Sequence, residues 1–286
     1  MFAWIDAEKA EFPISKLCQE LQVSPSGFYA ARGRPESAHA QTDRRLRVLV
    51  RASFDESRQR YGSPRIHEDL IEQAVHVSRK RVVRVMREEG LQARVRKRFK
   101  STTMSDHEQP VAANLLGQRF EADAPNRRWV GDTTEFVIGG SGKLYLAVVL
   151  DLFSRFVVGW AVSAVNDRHV TIKALDMALK RRCPGGDLLH HSDQGCTYAS
   201  EDYQAVLEAH GITGSMSRRG NCYDNAVMES FFSSVKSEVA DRFESCGEAK
   251  MELFDYIEVF YNQRRRHSTL GQISPAAFER RAAQAA

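Results

Sequence analysis

The stretch Arg128-Trp-Val-Gly-Asp132-Thr-Thr-Glu-Phe-Val-Ile138, turned by Gly139-Gly-Ser-Gly142 and continued by Leu144-Tyr-Leu-Ala-Val-Val-Leu150, decides the fold. Val130, Thr134, Phe136 and Ile138 recur at every second position, the period of a strand with one covered face. The glycine cluster reverses the chain. The run 144–150 is continuously apolar, which predicts a strand covered on both faces. Arg155 to Val162 reads as a third strand, so short turns join three strands into an antiparallel meander.

Downstream, Asp167 to Arg182 reads as a helix through Val170, Ala174, Leu175, Ala178 and Leu179. Gly185-Gly186 leads into a short strand over Asp187–Asp193. Ser200 is placed to cap a helix with Glu201 and Asp202 in its first turn, where acids suit the helix dipole, and Gly211 ends it. Ile212 to Met216 is a fifth strand. Asn225 to Glu238 is an amphipathic helix, with Val227, Phe231, Val235 and Val239 at helical spacing and Phe232 beside them. Three strands, then helix, strand, helix, strand and helix, is the order of an α/β ribonuclease H-like mixed sheet: an antiparallel meander plus parallel strands, with flanking helices.

Upstream the texture is all-α. Ile14, Leu17 and Leu21 form one apolar stripe, and Ser24-Pro25 opens a second short helix through Phe28 and Tyr29. The pattern recurs: Leu46, Leu49, Val50 and Phe54 share a face, Ser63-Pro64 opens a helix, and Val77-Ser78 caps another that ends at Gly90. That last helix carries Val82, Val83, Val85 and Met86 inside and Arg79, Lys80, Arg81, Arg84 and Arg87 outside, a helix-turn-helix pattern whose cations suit DNA phosphates. From Arg79 to Lys100 ten basic residues stand against two acids, the footprint of a polyanion partner. The reading divides the chain into a helical DNA-binding region (1–100), a linker (101–124), a catalytic core (125–240) and a helical C-terminal extension (241–286).

The 286 residues are 42% hydrophobic and 27% charged, an ordinary globular composition. Neither a signal peptide nor an apolar run of membrane-spanning length stands out, so a cytoplasmic protein without a membrane partner is expected. Five scattered cysteines (Cys18, Cys183, Cys196, Cys222, Cys246) form no CxxC pair, which argues for a reducing compartment and against disulfides or a zinc cluster.

Three acids carry the chemistry. Asp132 lies mid-strand on the face that otherwise reads as core, where an isolated charge is costly without a partner or a metal. Asp193 ends the next strand to enter the sheet. Glu229 lies on the last helix, 35 residues (194 to 228) beyond Asp193. Converging carboxylates repel unless cations join them, and Mg²⁺ prefers such oxygen ligands. Two ions about 4 Å apart hold the attacking and leaving oxygens of an in-line phosphoryl displacement. Lys236 stands two turns from Glu229, on nearly the same line of the helix. Asp151 reads as a turn cap, Glu135 as surface, and His190 and His191 as core or supporting histidines. The polar loop 221–225 either positions Glu229 or touches DNA.

Trp129-Val-Gly-Asp132, Leu150-Asp-Leu-Phe-Ser-Arg155 with Val158-Gly-Trp160, His191-Ser-Asp193-Gln-Gly and Asn225-Ala-Val-Met-Glu229-Ser-Phe-Phe resemble the catalytic core of bacterial insertion-sequence transposases. The resemblance is to the second-frame product of the "insertion sequence three" family, similar in its core to retroviral integrases. Tyr61-Gly-Ser-Pro-Arg-Ile66 and Phe260-Tyr-Asn262-Gln-Arg-Arg-Arg-His267-Ser-Thr-Leu270 extend it over almost the whole chain. The resemblance implies a DDE transposase that cleaves and joins DNA at element ends, with Asp132, Asp193 and Glu229 as catalytic metal ligands. It implies two Mg²⁺ ions, with Mn²⁺ as substitute, bridged by Asp132, and Lys236 against donor DNA. Arg79, Lys80, Arg81, Arg84, Arg264, Arg265 and His267 are the further candidate DNA contacts. Expected partners are terminal repeats, target DNA, further copies of the chain on DNA, and an upstream-frame product as fusion or companion. Thr133 and Glu135 depart from the family's usual apolar and aromatic residues, and the zinc module of retroviral integrases is not in this sequence. The rival readings are a catalytically inactive DNA-binding regulator and a structure-specific ribonuclease on the same fold. Without DNA, Glu229 is expected to stand out of reach of the two aspartates.

Overall fold

The computed structural model describes residues 1–94, 111–140, 142–218, 222–240 and 242–285. Of the basic run, Arg96, Lys97, Arg98 and Lys100 lie outside the described residues, as do 101–110 of the expected linker, Ser141 of the glycine turn and Asn221. Residues 1–92 and 93–286 form two compact units.

The first unit holds six helices: α1 (Phe2–Glu8), α2 (Ile14–Glu20), α3 (Pro25–Gly33), α4 (Ala38–Glu56), α5 (Ser63–Glu72) and α6 (Arg79–Glu88). Ile5, Leu17, Cys18 and Phe28 bury one another among the first three. The other three pack pairwise on Leu46, Val50, Phe54, Ile66, Leu70, Val82, Val85 and Met86. Ser24 and Ser78 cap as their sequence placement predicts, accepting from the amides of Gly27 and Arg81. Gly90, with φ +65°, follows α6 in the left-handed region that a side chain disfavours.

The second unit is built on β1 (Arg128–Ile138), β2 (Gly142–Asp151), β3 (Val157–Ser163), β4 (Leu189–Ser192), β5 (Thr213–Met216) and β6 (Arg242–Phe243). The strand order is β3-β2-β1-β4-β5. The meander β1-β2-β3 is antiparallel, β4 and β5 continue parallel to β1, and β6 pairs parallel with its far end. This is the ribonuclease H-like mixed sheet that the element order predicts. On one face, α7 (Arg168–Arg182) and α8 (Glu201–Ala209) cover Trp129, Ala147, Val149 and Val158. Against β1 lies α9 (Ala226–Glu238), followed by α10 (Cys246–Phe254), a π-helical run (Asp255–Tyr261) and α11 (Pro275–Ala285).

Two local expectations change. Ser200 precedes α8, but its hydroxyl donates to the Thr197 carbonyl instead of capping the helix. Residues 111–121 are no loose tether. Leu116 is buried, Ala112 packs on the core, and the amides of Leu115 and Leu116 both donate to Ser215 Oγ on β5. A stretch without an apolar period is held there by backbone donors that a burial pattern does not register.

Candidate active site

Asp132 is half-buried at the middle of β1, opposite Val148 of β2. Its neighbours Trp129 and Gly131 face the α7–α8 core, and Thr133 meets the Tyr198 hydroxyl there at 3.2 Å. Alternation therefore turns Asp132 to the other face, with Phe136, whose ring carries Lys236 Nζ of α9 at 5.7 Å. Burial pushes the Asp132 carboxyl well above the ordinary carboxylate range, and the charge of Asp193 adds to it. The Thr133 amide pulls the other way, Glu229 raises it again, and Lys236 lowers it. Three acids and a lysine thus share one electrostatic neighbourhood.

Asp193 follows β4 in a tight turn, where its Oδ1 accepts from the Gly195 amide at 2.9 Å. Glu229 is exposed in the first turn of α9. Among the described residues, no three His, Cys, Asp or Glu side chains stand close enough together to hold one ion. The three acids are near enough to repel and too far apart to form a single ligand shell. Of the two neighbours, Asp193 acts on Asp132 more strongly than Glu229 does.

The supporting residues lie behind the strand. His190 is buried beneath Gly131 and bonds Tyr203 Oη at 3.0 Å, and His191 bonds Ser215 and Ser217. Burial lowers both imidazoles to about 4, so both are neutral near pH 7. Asp151 is a buried turn cap that accepts from the amides of Asn126 and Phe153, while Glu135 is exposed and pairs with Lys143.

Sequence reasoning missed Asp224. It is fully buried and accepts from the Arg218 amide and guanidinium, Asn114 and Gln118. These bonds tie the segment leading into α9 to the strap at 111–118. Four of the five donors are side chains without an apolar signature, and two lie more than 100 residues away, so only the acid's place in a polar loop hinted at it. Asn225 also enters the site wall, with its amide 3.5 Å from the Gly131 carbonyl.

The candidate DNA contacts divide sharply. Arg79 and Lys80 are exposed on α6. Arg81 and Arg84 both bond the carboxylate of Asp43 on α4, at 2.7 Å each. Those hydrogen bonds, Arg84's foremost and against the cost of burial, hold the Asp43 carboxyl down at about 2, below its ordinary 3.8. An acid depressed on folding stabilises above its unfolded value, and that contribution is lost as pH falls toward the folded one. Circular dichroism melts between pH 4.5 and 2.5 should therefore show a smaller loss of helix stability for Asp43→Asn than for the parent chain. Equal losses would remove Asp43 as the acid-sensitive link.

Arg264 is exposed, but Arg265 leaves the DNA-contact set. It is 5% exposed and its guanidinium is bonded to Glu238 and Ser234 of α9. His267 is half-buried, its ring 4.8 Å from that of Tyr261. On α9 itself the buried residues are Met228, Phe231, Phe232, Val235 and Glu238, so Met228 takes the core position expected of the half-buried Val227.

Among the described residues no helix is long and apolar enough to cross a membrane. Residues 122–222 and 210–275 match models described as "Integrase core domain", and 41–99 match an "HTH-like domain". A protein of the Shigella sonnei insertion element IS600, described as an uncharacterized 31 kDa protein, is 42% identical over 92% of this chain and 97% of its own length. The transposase InsF of insertion sequence IS3A from Escherichia coli is 41% identical over 97% of this chain and 98% of its own. Among solved structures, the HTLV-2 integrase catalytic core in complex with magnesium superposes with a TM-score of 0.42 at 18% identity. That match covers 55% of this chain and 98% of that one.

Proposed function

Because the chain belongs to the IS3 family of insertion-sequence transposases, DDE enzymes that cleave DNA and transfer strands at element ends, we propose that Asp132, Asp193 and Glu229 are its catalytic metal ligands. The observation that carries this is the placement of the acids. Parallel β4 runs beside β1 with His191 paired to Val130, so two residues on in each chain Asp193 comes beside Asp132, while α9, with Glu229 in its first turn, packs against β1. An all-oxygen donor set with surplus negative charge fits a hard divalent cation, on which the integrase-core family depends. Bound divalent ions would activate the attacking oxygen and neutralise charge on the phosphate.

The chain's own residues supply placement. Asp132 sits on the rigid centre of the sheet and is the fixed member of the set. Asp193 is held by its turn, and Glu229 must swing inward on α9 to complete the shell. Lys236, above Phe136, would meet a phosphate of the element end as a point charge. Water attack frees a 3′-OH, which then attacks a second phosphodiester. One P–O bond breaks for each one formed.

The finer partners follow the same reading. Two Mg²⁺ ions, replaceable by Mn²⁺, would be held by Asp132, Asp193 and Glu229. Arg79, Lys80, Arg264 and His267 would contact DNA, with Arg81 and Arg84 available only by leaving Asp43. Further copies of the chain would bring two element ends together, with an upstream-frame product as fusion or companion, in the bacterial cytoplasm at the nucleoid. The division at 1–100, 101–124, 125–240 and 241–286 is kept as a functional one, with the strap at 111–121 packed on the catalytic part.

Incubating the protein with labelled element-end DNA and Mg²⁺ tests the reading, and strand joining is the expected product. Binding without joining would mark an inactive regulator. Cleavage confined to an RNA–DNA hybrid would mark a ribonuclease.

A further inference from the structure

We propose that Arg265 is a positioning residue: it fixes the rotation of α9 and thereby the aim of Glu229 and Lys236. The inference rests on the assignment of those two residues above. It begins with the motif Phe260-Tyr-Asn262-Gln-Arg-Arg265-Arg-His267, whose basic run reads as a nucleic-acid patch. In the fold its second cation, Arg265, points inward instead.

The inward turn has a backbone cause. The helix that starts as α10 widens into π geometry over Asp255–Tyr261, and the Asn262 amide reaches back five residues to the Ile257 carbonyl. One residue more per turn rotates everything that follows. Asn262 then lies fully buried, its amide group accepting from the Val157 amide and donating to the Val157 carbonyl at the start of β3. Arg265, three residues on, faces α9. The same short segment grips the sheet edge with one side chain and α9 with another.

The grip on α9 is polar and specific. Arg265 Nη2 lies 2.6 Å from Glu238 Oε1 and 3.0 Å from Ser234 Oγ, and Nε lies 2.8 Å from Glu238 Oε2. The Tyr256 hydroxyl donates to the same Oε2 at 2.9 Å. One turn closer to Glu229, the Tyr261 ring meets Phe231 edge-on at 4.9 Å. At about 100° per residue, Phe231, Ser234 and Glu238 lie roughly 140–200° around α9 from Glu229, while Lys236 lies within about 20° of it. The clamp therefore holds the side of the helix opposite the two functional residues. A small rotation permitted on one side becomes a misdirected carboxylate and amine on the other.

A buried ion pair is a poor source of stability, because desolvation offsets most of its attraction, and its best-attested use is to select one geometry among several. An apolar pair of similar volume would fill the same space without fixing the rotation. That difference separates a positioning role from a structural one.

The test uses the full chain carrying Glu238→Met with Arg265→Met. The double variant should unfold cooperatively near the parent's temperature and bind element-end DNA with unchanged affinity. Its joining turnover at saturating DNA should fall by ~100-fold, the scale of an ångström-sized misplacement. Amide hydrogen exchange in residues 226–238 should also quicken relative to the sheet. A folded double variant with parental turnover and parental exchange overturns the proposal. If the double variant fails to fold, Glu238→Gln decides by the same readings, since it keeps one acceptor oxygen for the guanidinium but loses the charge-fixed fork. Glu229→Gln in the parent background keeps the two inferences apart. Joining that survives there removes the catalytic assignment of Glu229, whereas its loss, alongside full turnover in a folded clamp variant, removes only the positioning role.

Discussion

Asp132→Asn should fold as well as the parent chain or better, bind element-end DNA normally, and lose strand joining by ~10³-fold or more. The two halves of this expectation share a cause. Burial and the charge of Asp193 both disfavour the ionised carboxyl in the folded protein, with Glu229 adding to them. The asparagine amide is near in size, carries no charge, and keeps an oxygen for the Thr133 amide that the carboxylate accepts at 2.7 Å. Replacing the acid therefore relieves repulsion and leaves the β1 ladder untouched. The same repulsion is what a cation would convert into binding, so the substitution that relaxes the fold removes the ligand. Such opposition between stability and activity is common where charges are held together for chemistry.

Glu229→Gln should lose joining to the same degree with no change in melting temperature, because Glu229 is exposed and acts on Asp132 less than Asp193 does. Melts and a joining assay on the same preparations check both variants. A loss of joining that tracked a loss of folding would attribute the effect to structure. Near-parental joining by either would remove that acid from the site.

The residues behind this expectation were readable to different depths. The meander was legible because apolar alternation on β1, an unbroken apolar run on β2 and a glycine turn are local signals. Asp132 was legible as a charge on the wrong face of a strand. Arg265 was misread for a physical reason. A run of basic residues at a chain's end normally belongs to solvent, and nothing local announces that the preceding helix widens into π geometry and turns one of them inward. Its partner offered a better clue, since Glu238 lies seven residues from Phe231 on the buried side of α9, where an unpaired acid would be costly. Asp224 was harder still, because its donors Asn114, Gln118 and Arg218 come from two distant stretches of the chain. The strap at 111–121 was invisible to any periodicity, being held by amides. The electrostatic pairing of the two aspartates came from sheet order, which the sequence implies only through the sequence of elements.

The largest structural effect should come from Gly159 on β3. A methyl group there would lie inside contact distance of the Ala174 carbonyl, 2.7 Å from the Ala178 amide and 2.9 Å from its Cβ. Ala174 and Ala178 are one turn apart on α7 and both buried, so three small residues let the helix backbone lie directly on the strand. The obstacle is main chain on both sides, which has no rotamer to give. Gly159→Ala must therefore lift α7 from the sheet, opening the core that Val158, Val170, Leu175 and Leu179 fill. Overpacking of this kind costs ~3 kcal/mol or more. For a unit of this size that is a fall of ~6–12 °C in melting temperature. Gly185→Ala is the matched control, because no atom stands within 4 Å of the added carbon there, and its effect should stay within ~0.5 kcal/mol. The two variants differ in nothing but what surrounds the new methyl group, so differential scanning calorimetry on the pair reads the packing directly. Equal melting temperatures would mean that β3 and α7 can separate at no cost, which their shared core forbids. The consequence reaches the active site through the sheet: β3 pairs with β2, and β2 holds Asp132 in register opposite Val148. Gly159→Ala should accordingly lose joining in proportion to its unfolded fraction, whereas Asp132→Asn loses it while fully folded.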